Sequence, residues 1–154
     1  MGTNTKNIVV NQLDNKLKDL RLLKNFTSPE GGWIHLFRKT LNMSLRQLAD
    51  RMQITIQGAS KLEKNEAEGA ITINTLRKVG DAMDLTLVYG FLPKDESLDK
   101  MIERKAVEMA SKIVMRTSAT MKLEDQEVSS QRLKESIEEL TKELKKEIPK
   151  SLWD

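Results

Sequence analysis

MSLRQLADRMQITIQGASKLEKN, residues 43–65, carries two helical patterns back to back. Ser44 is a capping residue, and Leu45, Leu48, Ala49 and Met52 follow at the steps of three and four that place apolar groups on one helix face. Thr55 offers a second cap. Behind it Ala59 and Leu62 fall on the inner side of another helix, while Ile56, Gln57, Ser60 and Lys61 fall on the outer side. Two short helices joined by a tight turn, the second presenting amide, hydroxyl and cationic groups outward, have the shape and hydrogen-bonding chemistry to read the major groove of double-stranded DNA.

Upstream, Trp33, Ile34, Phe37 and Leu41 recur at helical spacing and predict the first helix of the same core. Arg38 lies among them. A cation on an apolar face needs a carboxylate, because an unpaired buried charge costs several kcal/mol, and Glu63 is the candidate. Downstream, Asn65 to Gly69 reads as a polar turn in which Asn65 takes the left-handed conformation that ends a helix. Thr72 then caps a helix with Ile73, Leu76, Val79 and Met83 on one face. LTLVYGFL, residues 85–92, is rich in β-formers and bounded by Asp84 and Pro93, which predicts a strand. Leu85, Leu87, Tyr89 and Phe91 alternate with Thr86, Val88, Gly90 and Leu92. A lone strand has no ladder within its chain, so a second copy is the expected partner, with Leu85, Leu87, Val88, Tyr89 and Phe91 as the dimerisation set.

The two ends read differently. Residues 1–7 are polar and expected to fray. Asn11 caps an amphipathic helix with Leu13, Leu17 and Leu20 inward and Asp14, Lys16, Lys18, Asp19 and Arg21 in solvent, and Asn25 to Gly32 reads as a linker. The last third predicts a long helix through Leu98, Met101, Ile102, Val107, Ala110, Ile113 and Val114 that falters at Thr117 to Thr120. A second helix, from about Ser130 to Glu147, carries Leu133, Ile137, Leu140 and Leu144 on a stripe narrow enough for a helix-helix contact. Pro149 stops it, leaving Leu152 and Trp153 as an apolar tip. The organisation expected is an N-terminal helix and linker over residues 1–30, a helix-turn-helix domain over 31–93 that includes the strand 85–92, and a helical extension over 94–154. The fold class is mainly α with one short dimerising β-strand.

With 154 residues, a net charge of +3 and a sequence pI near 9.1, the chain is mildly basic. Residues 1–90 hold 13 Lys/Arg against 9 Asp/Glu and residues 91–154 hold 13 against 14, so the basic excess travels with the expected reading domain. No cysteine is present, which excludes disulfides and thiolate metal sites. No apolar run reaches the roughly 20 residues of a membrane span and no signal peptide opens the chain, so a soluble cytoplasmic protein is expected, with no membrane partner. The single histidine, His35, has no second His or Cys with which to complete a catalytic or metal site, and no phosphate-cradling loop occurs. Neither an enzyme nor a cofactor is expected. Met101, Met109, Met115 and Met121 read as packing residues before they read as a binding groove, and the Lys/Glu run from Lys134 to Lys146 as a solvated face.

Residues 33–83 resemble the Xre-type, phage-repressor family of helix-turn-helix domains, through MSLRQLADRM as the positioning helix and ITIQGASKLEKN as the reading helix. The resemblance implies that Arg38 and Glu63 form a buried salt bridge, that Ile56, Gln57, Ser60 and Lys61 face bases beyond the Thr55 cap, and that Arg46 and Lys64 lie nearer the phosphates. The chain departs from the family in having Leu45 directly after the cap, where Gln is usual, and Asn65 where Gly often closes the reading helix. Over nearly its whole length, through QLDNKL, GGWIHLFRKTLNMSLRQLA, EGAITINTLRKVGDAMDLTLVYGFLP and the terminal LWD, the sequence resembles the family called mobile mystery protein A. Members are typically encoded beside a Fic-domain protein, mobile mystery protein B. This implies a homodimeric repressor on an inverted repeat in its own promoter, acting as the antitoxin of that partner. The alternative is an interaction protein whose helical C-terminal part holds the toxin, with DNA binding secondary.

Overall fold

The computed structural model describes residues 2–123 and 129–154, and most of its helices begin where the sequence offers a cap. They are α1 (Thr3–Lys16), α2 (Trp33–Thr40), α3 (Leu45–Met52), α4 (Ile56–Ala67), α5 (Ile73–Ala82), α6 (Leu98–Leu123) and α7 (Ser130–Glu147), with short 3-10 turns at Asp19–Leu23 and Lys150–Trp153. Among the described residues no helix is long and apolar enough to cross a membrane. The chain divides into a central unit, Asn25–Gly90, and a flanking unit built from Met1–Lys24 and Phe91–Asp154.

In the central unit the hydroxyls of Ser44, Thr55 and Thr72 accept from the amides of Gln47, Gly58 and Thr75, and the Gln47 side chain returns the bond to Ser44 N at 2.8 Å. These caps, reciprocal at α3, satisfy amides that a helix start leaves free. Ile34, Leu48, Val79 and Met83 form the buried core, with Met43, Met52, Leu62, Ile71, Leu76 and Leu85 against it. All four helices stop in one way. A residue of positive φ follows each, Asn42 (53°), Gln53 (56°), Gly69 (73°) and Asp84 (59°), and the next amide reaches back five residues, as in Ile54 N to Ala49 O at 3.0 Å and Ala70 N to Asn65 O at 2.7 Å. Asn65 therefore does not end α4. The helix runs on to Ala67, and Gly69 closes it, because a glycine takes the left-handed conformation without the Cβ clash that Asn65 would meet.

The strand expected over 85–92 is absent, as is any strand among the described residues. Residues 85–93 run without helix, turn or bend, and their one backbone bond among the described residues is Leu85 N to Gly80 O at 2.8 Å. A strand is defined by its ladder, and a single chain supplies no second rung for this segment.

The flanking unit buries Ile102, Ala106, Ala110, Leu144 and Leu152, with Val10, Met109, Ile137, Leu140 and Ile148 around them. Here the periodicity of the N-terminal residues misleads. Helix α1 starts at Thr3 rather than near Asn11, Leu13 is exposed, and Asp14 is buried. Tertiary bonds override the local pattern: Lys6 Nζ donates to Glu147 O at 2.7 Å, at the C-terminal end of α7, and the Asp14 carboxylate accepts from Leu98 N (2.8 Å) and Asp99 N (3.1 Å), at the start of α6. Each contact places a charge where the helix dipole favours it. Helix α6 does not falter at Thr117 to Thr120, since Thr117 and Thr120 bond back to the carbonyls of Ile113 and Arg116 inside an unbroken helix. Leu152 is core rather than part of a free tip; Trp153 is half exposed.

Because residues 1–24 fold with the C-terminal helices, the basic excess does not sit where the sequence order suggests. The central unit holds 8 Lys/Arg against 7 Asp/Glu, a net of +1, and the flanking unit holds 18 against 16, a net of +2.

Candidate nucleic-acid interface

Two carboxylates on the inner side of α4 hold it against α2. Glu63 receives Arg38 through a fork, Nε to Oε1 and Nη2 to Oε2 at 3.2 Å, and His35 Nδ1 lies 2.9 Å from the same carboxylate. Arg38 is buried and spends Nη1 on Met43 O at 3.0 Å, which ties the fork to the α2–α3 turn. Burial alone would raise the Glu63 pKa, but hydrogen bonds and charge from Arg38 and His35 outweigh it and hold the carboxyl below its usual 4.5.

One turn further on, Glu66 accepts from Trp33 N (3.0 Å) and Ile34 N (2.8 Å), capping α2 where Gly32 has no side chain to do so. Gly32 sits at φ 87°, and a Cβ there would come within 2.8 Å of Glu66 Oε2. The GGW sequence is thus a close approach between the α2 start and α4. The sequence reading missed Glu66; its signal was position, since Ala59, Leu62, Glu63 and Glu66 share one face at steps of three and four.

The opposite side of α4 is open. Ile56, Gln57, Ser60, Lys61 and Lys64 are exposed, as are Thr55 at the cap and Arg46 in the first turn of α3. The side chains of Gln57, Ser60, Lys61 and Arg46 have no hydrogen bond or ion pair to any described residue, and Lys64 has only an exposed 3.8 Å contact with Glu68. The structure therefore brings the sequence-predicted groups together on α4 and its cap, plus α3; Gln57, Ser60, Lys61 and Arg46 keep their side-chain donors and acceptors unspent among the described residues, while Thr55 accepts from Gly58 N. Arg38 and Glu63 are paired beneath them. Of the dimerisation set, Leu85 and Leu87 are half-buried, while Val88, Tyr89 and Phe91 are 71%, 61% and 91% exposed.

Residues 34–89 match the family model described as helix-turn-helix, of the Xre type. They form a helix-turn-helix domain. The match spans α2 to α5 and the start of the unbent segment, and it marks the domain as a DNA-binding regulator's. No curated protein and no solved structure matches the chain. Within this helix-turn-helix domain α3 and α4 are the two helices joined by the tight turn.

Proposed function

We propose that the protein is a sequence-specific repressor that binds, as two copies, an inverted repeat in its own promoter, and that it serves as antitoxin to a Fic-domain partner. The observation that carries the DNA half is the open row on α4, whose polar groups have no internal partners while the helix behind them is fixed by Glu63 and Glu66. Two copies would set two such helices about 34 Å apart, one turn of B-DNA. In this reading Gln57, Ser60 and Lys61 choose bases, Ile56 packs on them, Arg46 and Lys64 meet phosphates, and Thr55 keeps the helix start in place. The protein works in the cytoplasm by occlusion, without catalysis or cofactor. A central unit of net charge only +1 favours readout by placed groups over general attraction to phosphate.

The test is a gel shift of the purified protein on its own upstream DNA, with and without the product of the neighbouring gene. Gln57→Ala with Lys61→Ala should lower specific affinity by about 1–3 kcal/mol per lost base contact and leave the fold intact. Parent-like binding by that double variant overturns the assignment of α4. A second reading, in which the flanking unit holds the toxin, is favoured by its separate core and by the exposed Val107, Ile113 and Met115 on α6. Residues Phe91 to Asp154 cannot be tested alone, because α1 belongs to that core; pull-down of the partner by the full chain carrying Ile113→Asp and Met115→Asp separates the readings.

A further inference from the structure

We propose that residues 85–93 pair antiparallel with the same residues of a second copy, in the one register that sets Tyr89 opposite Tyr89. The inference rests on the two-copy reading above and assigns its interface. In an unbent segment, successive amides point to opposite edges. Leu85 N bonds Gly80 O at 2.8 Å and Leu87 N lies 3.9 Å from where a Gly80 Cβ would be, so the edge of the odd residues is turned toward α5. Pro93, on that edge, has no amide to offer. The amides of Thr86, Val88, Gly90 and Leu92 belong to the other edge, and none has a partner among the described residues.

With Tyr89 on the two-fold axis, those four amides meet the carbonyls of Leu92, Gly90, Val88 and Thr86 in the second copy. Leu85 falls opposite Pro93 as a non-bonded pair, and the next amide on the pairing edge, that of Asp84, is spent on Asp81 O at 3.2 Å in a residue of φ 59°, so the ladder stops there. One residue further out, Asp84 falls opposite Lys94. Asp84 is otherwise held by an exposed 3.6 Å contact with Arg51, and the Lys94 side chain has no partner among the described residues, so both ends of the pairing gain an opposite charge around an uncharged middle. A shift of one residue would set Asp84 against Pro93 and lose this match. The pairing also places Leu87 against Phe91 on one face and Tyr89 against itself, covering side chains that a single chain leaves in water. Only a copy of the same chain supplies both halves of this complementarity.

The natural sequence lacks cysteine, so a single introduced thiol reports the register directly. Tyr89→Cys should form a covalent dimer under mild oxidation, because opposed residues of such a ladder lie about 4.5–5.5 Å apart, within disulfide reach. Phe91→Cys, more exposed but four residues from its own copy along the ladder, should stay unlinked. Asp84→Lys and Lys94→Asp should each weaken association in sedimentation equilibrium by about fivefold, and the double variant should restore it. Linking of Phe91→Cys as readily as Tyr89→Cys overturns the register. A parent chain that is monomeric at micromolar concentration, with no linking of either variant, overturns the pairing itself. A dimer that links through Tyr89→Cys yet fails to shift its upstream DNA leaves the pairing standing and removes only the DNA reading.

Discussion

The central and flanking units both use a carboxylate from one helix to cap the start of another, yet they place their charges differently. In the flanking unit, buried Asp14 caps α6 and takes a long 3.5 Å contact from the half-buried Arg21, while the closer ion pairs are surface groups: Lys145 with Asp99 (2.9 Å), and Arg104 with Asp95 (3.0 Å) and Glu108 (3.1 Å). Apart from Asp14, its buried residues are apolar. In the central unit the ion pair is inside, with Arg38 buried against Glu63, and Glu66 beside it caps α2. The apolar interior tolerates small slides between helices, whereas a forked guanidinium fixes both distance and rotation. The stricter device lies behind α4, the helix whose outer row is proposed to read DNA.

The largest effect expected from this contrast is on the pair itself. Glu63→Ala leaves Arg38 buried and unpaired and should cost the central unit about 3–5 kcal/mol. The chain has two tryptophans, Trp33 in the central unit and Trp153 in the flanking one, so single-tryptophan backgrounds report the units separately. Urea unfolding followed by Trp33 should shift strongly while that followed by Trp153 holds. Arg38→Met combined with Glu63→Leu should recover much of the loss; a double variant no better than the singles would show that the two residues do not act as a pair.

Asp14→Ala is the corresponding break in the flanking unit. It removes the acceptor of two α6 amides and should cost about 1–3 kcal/mol, read by Trp153. An equal shift at Trp33 would mean that the units unfold together and that the contrast between them has no thermodynamic meaning.

One part-buried group in each unit, Glu63 and Lys145, titrates with an opposite effect on stability. The Glu63 carboxyl is depressed in the folded chain, so its contribution is present above its ordinary value of 4.5 and is lost as pH falls through the lower folded value. For Lys145, burial alone would lower the pKa, but bonds and charge from Asp99 and Glu103 raise it above 10.5. Its contribution is complete below 10.5 and is lost as pH rises through the folded value. Glu63→Gln should therefore remove an acid-side loss from the Trp33 transition and Lys145→Met an alkaline loss from the Trp153 transition, while the exposed Asp95, held below 3.8 chiefly by its bond from Arg104, leaves the flanking unit a small acid slope of its own. Identical pH profiles at both reporters would break the assignment.

Helices α3, α4, α5 and α7 were legible because their signals are local: a hydroxyl cap, a periodic apolar face and a stop. What the sequence hid is long-range. Nothing near Asp14 announces that its carboxylate serves amides 84 and 85 residues away, and the leucines at 13, 17 and 20 suggest a different buried face. Arg38 could be matched with Glu63 because a cation on an apolar face demands a carboxylate, while Glu66 escaped because its partners are backbone amides, which no residue identity betrays. The outward row on α4 was readable for a third reason, since side chains with no internal role follow from periodicity alone.

The smallest effect concerns the turn between the two helices that matter most. Gln53 holds φ 56° after α3, and its amide and that of Ile54 bond back to Asp50 O (3.2 Å) and Ala49 O (3.0 Å). The same geometry closes α4 with Gly69 at φ 73°. A side chain in the left-handed region costs about 1–2 kcal/mol, and glycine removes that strain while adding some freedom to the unfolded chain. Gln53→Gly should then stabilise the central unit by about 0.5–1 kcal/mol, and Gly69→Ala should destabilise it by a similar amount. Both are read in the Trp33 transition, with the Trp153 transition unmoved. Because the turn keeps its bonds in either case, operator affinity should stay within a factor of about two, as little differential energy reaches the open face of α4. A Gln53→Gly chain that is less stable than the parent would show that the Gln53 side chain supports the turn in a way that its backbone bonds do not.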